Sequence, residues 1–300
     1  MFSKIVLLTI IGFVNRLYEI KGTKHLDPSN TYTSDNLYPD FQEKLSEYKS
    51  LLLKSTVSEL KISTFRLGDG DFFFYKKIPT GVAKPGNYGY KNKKFLKNNE
   101  KFVKDIMKFN VFQSLINGEH PKRFFDFFGR EMDYPVEFTY GLVANKWLIQ
   151  MPSIKIGLIG ASSKIKLIQE LIQYREYQEY LGVEKFEHYI PVPQNFLVDK
   201  AEKTLKKIIK EIDKNGKNVN MYIYGLGYGK SYIVPKLMEK YKNFTFIDAG
   251  VSIDALAGVV NIERPYFGLW KNFQIKSKPN LYKDVDFLFR KGTLGDINHL

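Results

Sequence analysis

Two aspartates and an arginine lie close together in the stretch Thr64-Phe-Arg-Leu-Gly-Asp-Gly-Asp-Phe-Phe-Phe-Tyr75. Asp69 and Asp71 flank one glycine, so both carboxylates can reach a single hard cation, and Mg²⁺ or Mn²⁺ binds protein carboxylates together with substrate phosphate oxygens. Arg66 offers the paired hydrogen bonds with which guanidinium groups hold phosphates. The alternative is a tight turn in which the aspartates cap backbone amides and pair with Arg66. Either interpretation requires a positive partner, because unpaired buried carboxylates are costly.

A glycine-rich turn, Gly225-Leu-Gly-Tyr-Gly-Lys-Ser231, follows an apolar run and looks at first like a phosphate loop. A Walker A motif needs glycine where Tyr224 stands, and a dinucleotide-binding G-x-G-x-x-G motif needs glycine where Lys230 stands. Gly227 and its neighbours still let the backbone approach a ligand, and the amides of a following helix favour an anion. An ordinary strand-to-helix turn is the alternative. The same choice applies, more weakly, to Gly160-Ala-Ser-Ser163.

Several common kinds of catalytic site are excluded by composition and spacing. The chain contains no cysteine, which excludes a disulfide framework, cysteine zinc sites and thiol catalysis. The four histidines, at positions 25, 120, 188 and 299, lack metal-ligand spacing, and no G-x-S-x-G serine motif occurs. The candidate chemistry is therefore that of carboxylates, an arginine and a lysine.

The pattern of apolar residues places these candidates at the carboxyl ends of strands. Residues 60–65 alternate as a half-buried strand does, and a helix over 41–55 precedes them. Further elements are predicted in chain order: strand 154–159, helix 164–174, helix 199–214, strand 219–224, helix 230–241 and strand 244–249. Residues 98–150 are predicted to be mostly helical. This alternation indicates an α/β fold with a doubly wound, Rossmann-like, mostly parallel sheet flanked by helices, in which ligands bind beyond the carboxyl ends of strands.

Length and charge set the broad class of the protein. The chain has 300 residues, a formal net charge of +14 and 44% hydrophobic residues, enough to bury a full core. Only seven of its 46 basic residues are arginines, so the charge fits either a solvated lysine-rich surface or peripheral contact with an anionic membrane.

The apolar run within residues 1–14 is too short to span a bilayer. A packed helix, a membrane anchor and the core of a signal peptide remain open as interpretations of this run. We predict an N-terminal apolar segment and connector at 1–39, a single catalytic domain at 40–300, and a cytoplasmic location.

The stretch Arg66-Leu-Gly-Asp-Gly-Asp71 resembles the R-[FL]-G-D-G-E signature that opens the catalytic domain of GT-D-type glycosyltransferases. Three later stretches are similar to the family segments Y-G-[DN]-x-F-[VI]-S, P-x-x-N-A and D-I-G-H-x-D, in the same order: Tyr140–Asn145, Pro193–Asn195 with Asp199, and Ile247–Gly250 with Asp254. The family has glutamate, alanine and histidine where this chain has Asp71, Phe196 and Val251. The likeness covers residues 40–260 and implies a GT-D-like fold for the catalytic domain.

The resemblance also implies an activity and a cofactor. It implies a hexosyltransferase that moves a sugar from a nucleotide diphosphate sugar, such as a UDP-hexose, to a glycan, glycoprotein or lipid-linked acceptor. Asp69 and Asp71 would bind Mn²⁺ or Mg²⁺, which would act as a Lewis acid on the departing diphosphate and make Asp71 a catalytic residue. Arg66 and Lys230 would bind the diphosphate itself.

Other residues are assigned to the nucleotide sugar and to the acceptor. The expected contacts with the nucleotide sugar are made by Gly68, Asn195 and Gly227. Asp248 is the expected catalytic carboxylate that takes the proton of the acceptor hydroxyl.

Two other classes of function remain open on the sequence. A Mg²⁺-dependent phosphotransferase or nucleotidyltransferase would use the same carboxylates on a nucleotide. A basic nucleic-acid-binding protein fits the charge less well, and it would bind with steep salt dependence.

Overall fold

The computed structural model describes residues 40–76, 100–116, 119–144, 146–193, 197–259, 274–283 and 285. Within these ranges the strands are β1 (Thr64–Arg66), β2 (Val111–Ser114), β3 (Tyr134–Pro135), β4 (Ile156–Ala161), β5 (His188–Val192), β6 (Met221–Tyr224) and β7 (Thr245–Asp248). The α-helices are α1 (Phe41–Val57), α2 (Asp69–Tyr75), α3 (Glu100–Val103), α4 (His120–Phe128), α5 (Val136–Ala144), α6 (Trp147–Gln150), α7 (Ser162–Leu171), α8 (Arg175–Leu181), α9 (Ala201–Asn215), α10 (Lys230–Lys240) and α11 (Ser252–Leu256). The short 3₁₀ helices are Ile106–Lys108, Gly216–Asn218, Gly227–Gly229 and Pro279–Tyr282.

The described strands all pair in parallel, in two sheets with the orders β1-β2-β3 and β5-β4-β6-β7. An isolated bridge between Ser63 and Phe246 and a 2.9 Å hydrogen bond from the Phe246 amide to the Ile62 carbonyl place β1 beside β7. The two sheets therefore continue one another, with β1 and β7 at the junction. Helices flank the strands, so the predicted α/β class with a mostly parallel sheet is confirmed.

Burial explains why these segments take these forms. β6 and β7 are buried at every position, as strands of a parallel sheet covered on both faces are. In α9 the buried residues Thr204, Ile208 and Ile212 recur every four positions, and lysines occupy the exposed face. Each large apolar side chain buried in this way contributes roughly 1.5–3 kcal/mol to folding.

Most predicted helices and strands are confirmed within a few residues at their ends, although β1 begins only at Thr64. The prediction of a mostly helical segment over 98–150 is wrong at β2 and β3, which are too short and too polar to show alternation. β5 was not predicted as a strand. It contains Pro191 and, among the described strands, pairs with β4 alone; a strand at a sheet edge tolerates the missing amide of proline.

The predicted division at 1–39 and 40–300 stays a prediction. The apolar N-terminal run lies outside the described residues. Of the helices in the described ranges, none is both long enough and apolar enough to cross a membrane.

Candidate functional site

Beyond the single bridge between Ser63 and Phe246, side chains connect β1 to β6 and β7. The Asp248 amide donates to Thr64 Oγ1 at 2.7 Å, and the Arg66 amide donates to Asp248 Oδ2 at 3.3 Å. The Tyr224 hydroxyl, at the end of β6, donates to the Thr64 carbonyl oxygen at 2.6 Å. In open parallel sheets, ligands bind in crevices outside the carboxyl ends of the strands. The candidate site lies at this junction.

Lys230 is the first residue of α10, and its side chain points into the junction. The residue is 1% exposed, and its Nζ lies 2.9 Å from both Asp71 Oδ2 and Asp248 Oδ2. The ammonium also donates to the carbonyl oxygen of Arg66 and lies 4.8 Å from the centroid of the Phe65 ring. A positive charge at a helix N-terminus is opposed by the helix dipole. The two carboxylates offset that effect and the desolvation of the ammonium.

Asp71 has two partners at one oxygen. The Gly68 amide donates to its Oδ2 at 2.9 Å, so Asp71 caps the first turn of α2, and the same oxygen accepts from Lys230. Asp71 is 3% exposed. The capping expected of a tight turn is therefore present, with Lys230 as the positive partner of the carboxylate.

The guanidinium of Arg66 lies close to two glycines, Gly68 and Gly250. A Cβ atom at Gly68 would lie 2.8 Å from Arg66 Nη1 and 3.4 Å from Asp71 Oδ2, and one at Gly250 would lie 3.4 Å from Arg66 Nε. Gly250 also has a φ of 46°, which an L side chain rarely adopts. Glycine at these two positions leaves the space that the Arg66 side chain occupies.

The turn before α10 carries Tyr228, whose ring stacks on Phe74 of α2 with centroids 4.4 Å apart and planes 8° apart. A Cβ atom at Gly70 would overlap the Tyr228 hydroxyl oxygen. Gly227, in the same turn, is exposed and has a φ of 48°. The turn is therefore fixed against α2 on one side and open at Gly227 on the other.

The structure brings together five of the residues singled out in the sequence: Arg66, Gly68, Asp71, Lys230 and Asp248. Gly227 lies three positions before Lys230 in the adjoining turn. Asp69 begins α2, but its side chain lies outside the described part of the chain, as does Asn195.

The described carboxylates do not fit a divalent metal on Asp71 while Lys230 is in place. The Asp71 oxygen that faces the junction already accepts from an ammonium and an amide, and the residue is almost fully buried. In the described ranges, His, Asp and Glu side chains form no group of three that would hold a metal ion. No step of a reaction is therefore assigned to a metal on Asp71.

Two polar groups near the same edge of the sheet were not predicted. Burial raises the pKa of the Glu137 carboxyl from its ordinary 4.5 to about 8. Its Oε1 accepts from the Ile116 amide at 3.1 Å, and its Oε2 has no hydrogen-bond partner among the residues with described side chains. The other is Tyr224, which is wholly buried. Glu137 lies in the helix that follows β3, and Tyr224 is the last residue of β6. The pattern of apolar residues in the sequence does not distinguish such residues from ordinary core positions.

A second ion pair lies at the turn after β4. Lys164, in the first turn of α7, contacts Asp254 of α11 through its ammonium, and both side chains are largely buried. This is the turn noted above at Gly160–Ser163, and the pair ties α7 to α11 there.

A cleft of about 350 Å³ lies away from the junction. Its lining residues are Lys61, Ile62, Ser63, Lys108, Pro235, Met238, Glu239, Tyr241, Lys242 and Phe244. These residues surround the amino ends of β1 and β7, the opposite edge of the sheet from Lys230. We therefore place the candidate site at the junction and not in this cleft.

Comparison with known proteins adds nothing to the geometry. No protein-family model, curated protein or solved structure matches the chain. The similarity to GT-D-type glycosyltransferases therefore rests on the short motifs and their order along the chain.

Proposed function

We propose that the protein is a glycosyltransferase that moves a sugar from a nucleotide diphosphate sugar, such as a UDP-hexose, to a glycan, glycoprotein or lipid-linked acceptor. The observation that carries the proposal is the position of the Arg66 side chain, which lies at the carboxyl end of β1, close to Gly68 before α2 and to Gly250 in the turn after β7. Nucleotides bind at such places in open parallel sheets. Among the nucleotides that could bind there, the resemblance of residues 66–71 to the GT-D signature favours a nucleotide diphosphate sugar.

Arg66 is suited to the diphosphate of the donor. Its side chain is partly exposed, and its planar guanidinium can form two parallel hydrogen bonds with phosphate oxygens. Gly68 and Gly250 leave room for the side chain. At Gly68, the guanidinium of Arg66 and the carboxylate of Asp71 both approach the glycine. Arg66 is therefore the residue that we assign to the leaving diphosphate, whose negative charge grows as the sugar departs.

Lys230 lies between Asp71 and Asp248 and contacts the backbone of Arg66. Its ammonium donates hydrogen bonds to Asp71 Oδ2 and to the Arg66 carbonyl oxygen, and it forms an ion pair with Asp248 Oδ2 at 2.9 Å. The ammonium therefore offsets part of the negative charge of Asp71 and Asp248, which would otherwise weaken the binding of a diphosphate at Arg66.

Binding of nucleotide sugars tests the proposal. Thermal unfolding is measured with a panel of nucleoside diphosphates and nucleotide sugars, each with Mn²⁺, with Mg²⁺ and with chelator. A ligand at about 100 times its dissociation constant stabilises by roughly 2.7 kcal/mol, so one nucleotide sugar should raise the midpoint by several degrees.

The matched control compares two arginines. Arg66→Ala should remove the shift, whereas Arg175→Ala should keep it, because Arg175 is an exposed residue that pairs with Glu179. The proposal fails if no nucleotide sugar moves the midpoint in any of the three conditions.

A further inference from the structure

We propose that the ammonium of Lys230 is the resident cation of this site, in the place that a divalent metal would take between Asp71 and Asp248. It follows that this pair of aspartates binds no divalent ion in the wild-type chain. A second consequence, that sugar transfer at this site proceeds without a metal on Asp71, rests on the proposed function. The first does not, because it concerns binding alone.

The geometry around Nζ is that of a cation in an oxygen cage. Two carboxylate oxygens, Asp71 Oδ2 and Asp248 Oδ2, lie 2.9 Å away, and the Arg66 carbonyl oxygen is the third acceptor. Carboxylates and backbone carbonyls are the ligands that hard divalent ions take from proteins. The ammonium donates hydrogen bonds to Asp71 Oδ2 and the Arg66 carbonyl oxygen and forms an ion pair with Asp248 Oδ2, so the oxygens that face the junction already surround a cation.

Charge makes the lysine and the metal alternatives to each other. Two carboxylates and one ammonium leave this cluster with a single negative charge, and the Arg66 guanidinium lies beside it. Lys230, Asp71 and Asp248 are each 3% exposed or less, so an added divalent ion would leave a large uncompensated positive charge in a buried place. Without the lysine, the same oxygens would carry two negative charges and surround an open space.

The test is gain of metal binding when the lysine is removed. Mn²⁺ is titrated by calorimetry into wild-type protein and into Lys230→Ala, and thermal midpoints are measured with Mn²⁺ and with chelator. We expect no binding and no shift for the wild type. For Lys230→Ala we expect one bound ion and a midpoint raised by several degrees, with both effects lost in Lys230→Ala/Asp71→Asn. A lysine with only a packing role would not produce this gain.

Lys236→Ala is the matched control. Lys236 lies on the same helix and pairs with Asp105 at 3.1 Å, but that pair is partly exposed and has no third oxygen ligand like the Arg66 carbonyl described for it. This variant should bind no more Mn²⁺ than the wild type does. Asp105 keeps Lys108 as a partner at 2.8 Å in this variant. Equal gains in the two variants would overturn the proposal, because the loss of any lysine partner of an aspartate would then explain the result.

Two further outcomes overturn the proposal. One is a folded Lys230→Ala that binds no Mn²⁺. The other is a wild-type protein that binds one Mn²⁺ and loses it in Asp71→Asn, a result that remains available if Lys230→Ala does not fold. Failure of the proposed function gives a different result. No nucleotide sugar would then raise the thermal midpoint, whereas the Mn²⁺ titrations would be unaffected.

Discussion

The hydroxyl oxygen of Tyr224 lies 2.6 Å from the carbonyl oxygen of Thr64, a residue 160 positions earlier in the chain. Thr64 is bonded a second time at its side chain, which accepts from the Asp248 amide at 2.7 Å. Both bonds lie just beyond the single backbone bridge between Ser63 and Phe246. Buried side chains therefore hold the two sheets together at the candidate site.

We expect Tyr224→Phe to destabilise the fold by roughly 1–3 kcal/mol, because it leaves a buried carbonyl without its donor. The free energy of unfolding in urea measures the loss. Tyr241→Phe is the control, since the Tyr241 hydroxyl contacts the Ile209 carbonyl oxygen at 3.1 Å and Asp213 Oδ1 at 2.7 Å, but in a partly exposed position that water can reach. Equal losses in the two variants would contradict the role given to the Tyr224 bond.

Gly70 and Tyr228 should be coupled energetically. Alanine at position 70 would meet the Tyr228 hydroxyl, and that ring cannot easily move because it stacks on Phe74. We expect Gly70→Ala to cost about 1–3 kcal/mol, as overpacked sites do. Tyr228→Phe removes the clashing oxygen, so the double variant should be more stable than the sum of the single changes predicts. Strict additivity across the four proteins in urea would show that no clash exists.

The titration of Glu137 should lower the free energy of unfolding as the pH rises. Its pKa is about 8 in the fold against an ordinary 4.5, because burial penalises the charged form. Between these values the folded chain keeps a proton that the unfolded chain has released, so the contribution of Glu137 is complete at low pH and is lost as the pH rises towards 8. Each unit of pKa difference corresponds to about 1.4 kcal/mol, which makes the total effect a few kcal/mol.

Glu137→Gln removes this titration and keeps an acceptor for the Ile116 amide. Urea unfolding of both proteins between about pH 5 and pH 8 should show the variant gaining stability relative to the wild type as the pH rises. Parallel pH profiles would mean that Glu137 is already ionised in the fold.

The sequence predicted where the candidate residues lie, but not how they pair. Alternation at residues 60–65 and the apolar run at 219–224 place Arg66 at the end of a strand and Lys230 after the turn that follows a strand, and the structure confirms both positions. That Lys230 would reach Asp71 depends on β1 lying beside β7, a contact between distant parts of the chain. Local periodicity carries no information on such contacts.

The elements that the sequence did not reveal have a common cause. β2 and β3 contain four and two residues, and strands of that length are set by their neighbours in the sheet and not by their own propensity. Glu137 is the second residue of α5, which follows β3, and a prediction of helix throughout this segment indicates no strand end there.

Asp248→Asn separates two roles for this carboxylate at the site. The sequence-based expectation is that Asp248 takes the proton of the acceptor, in which case the variant should lower kcat far more than donor affinity and remove the acidic limb of the kcat profile against pH. Its contacts with Lys230 and the Arg66 amide support a holding role instead, which predicts that donor affinity and kcat fall together with an unchanged profile.

The measurement is donor binding by calorimetry beside steady-state rates across pH, for the wild type, Asp248→Asn and the control Asp105→Asn. Asp105 is less deeply buried than Asp248 and pairs with Lys236 and Lys108, so its variant removes a paired carboxylate elsewhere in the fold. Thermal midpoints of the two variants show how much of any loss comes from stability. An Asp248→Asn protein with the rates and the donor affinity of the wild type would exclude both roles and move the search for the base to other carboxylates at the strand ends.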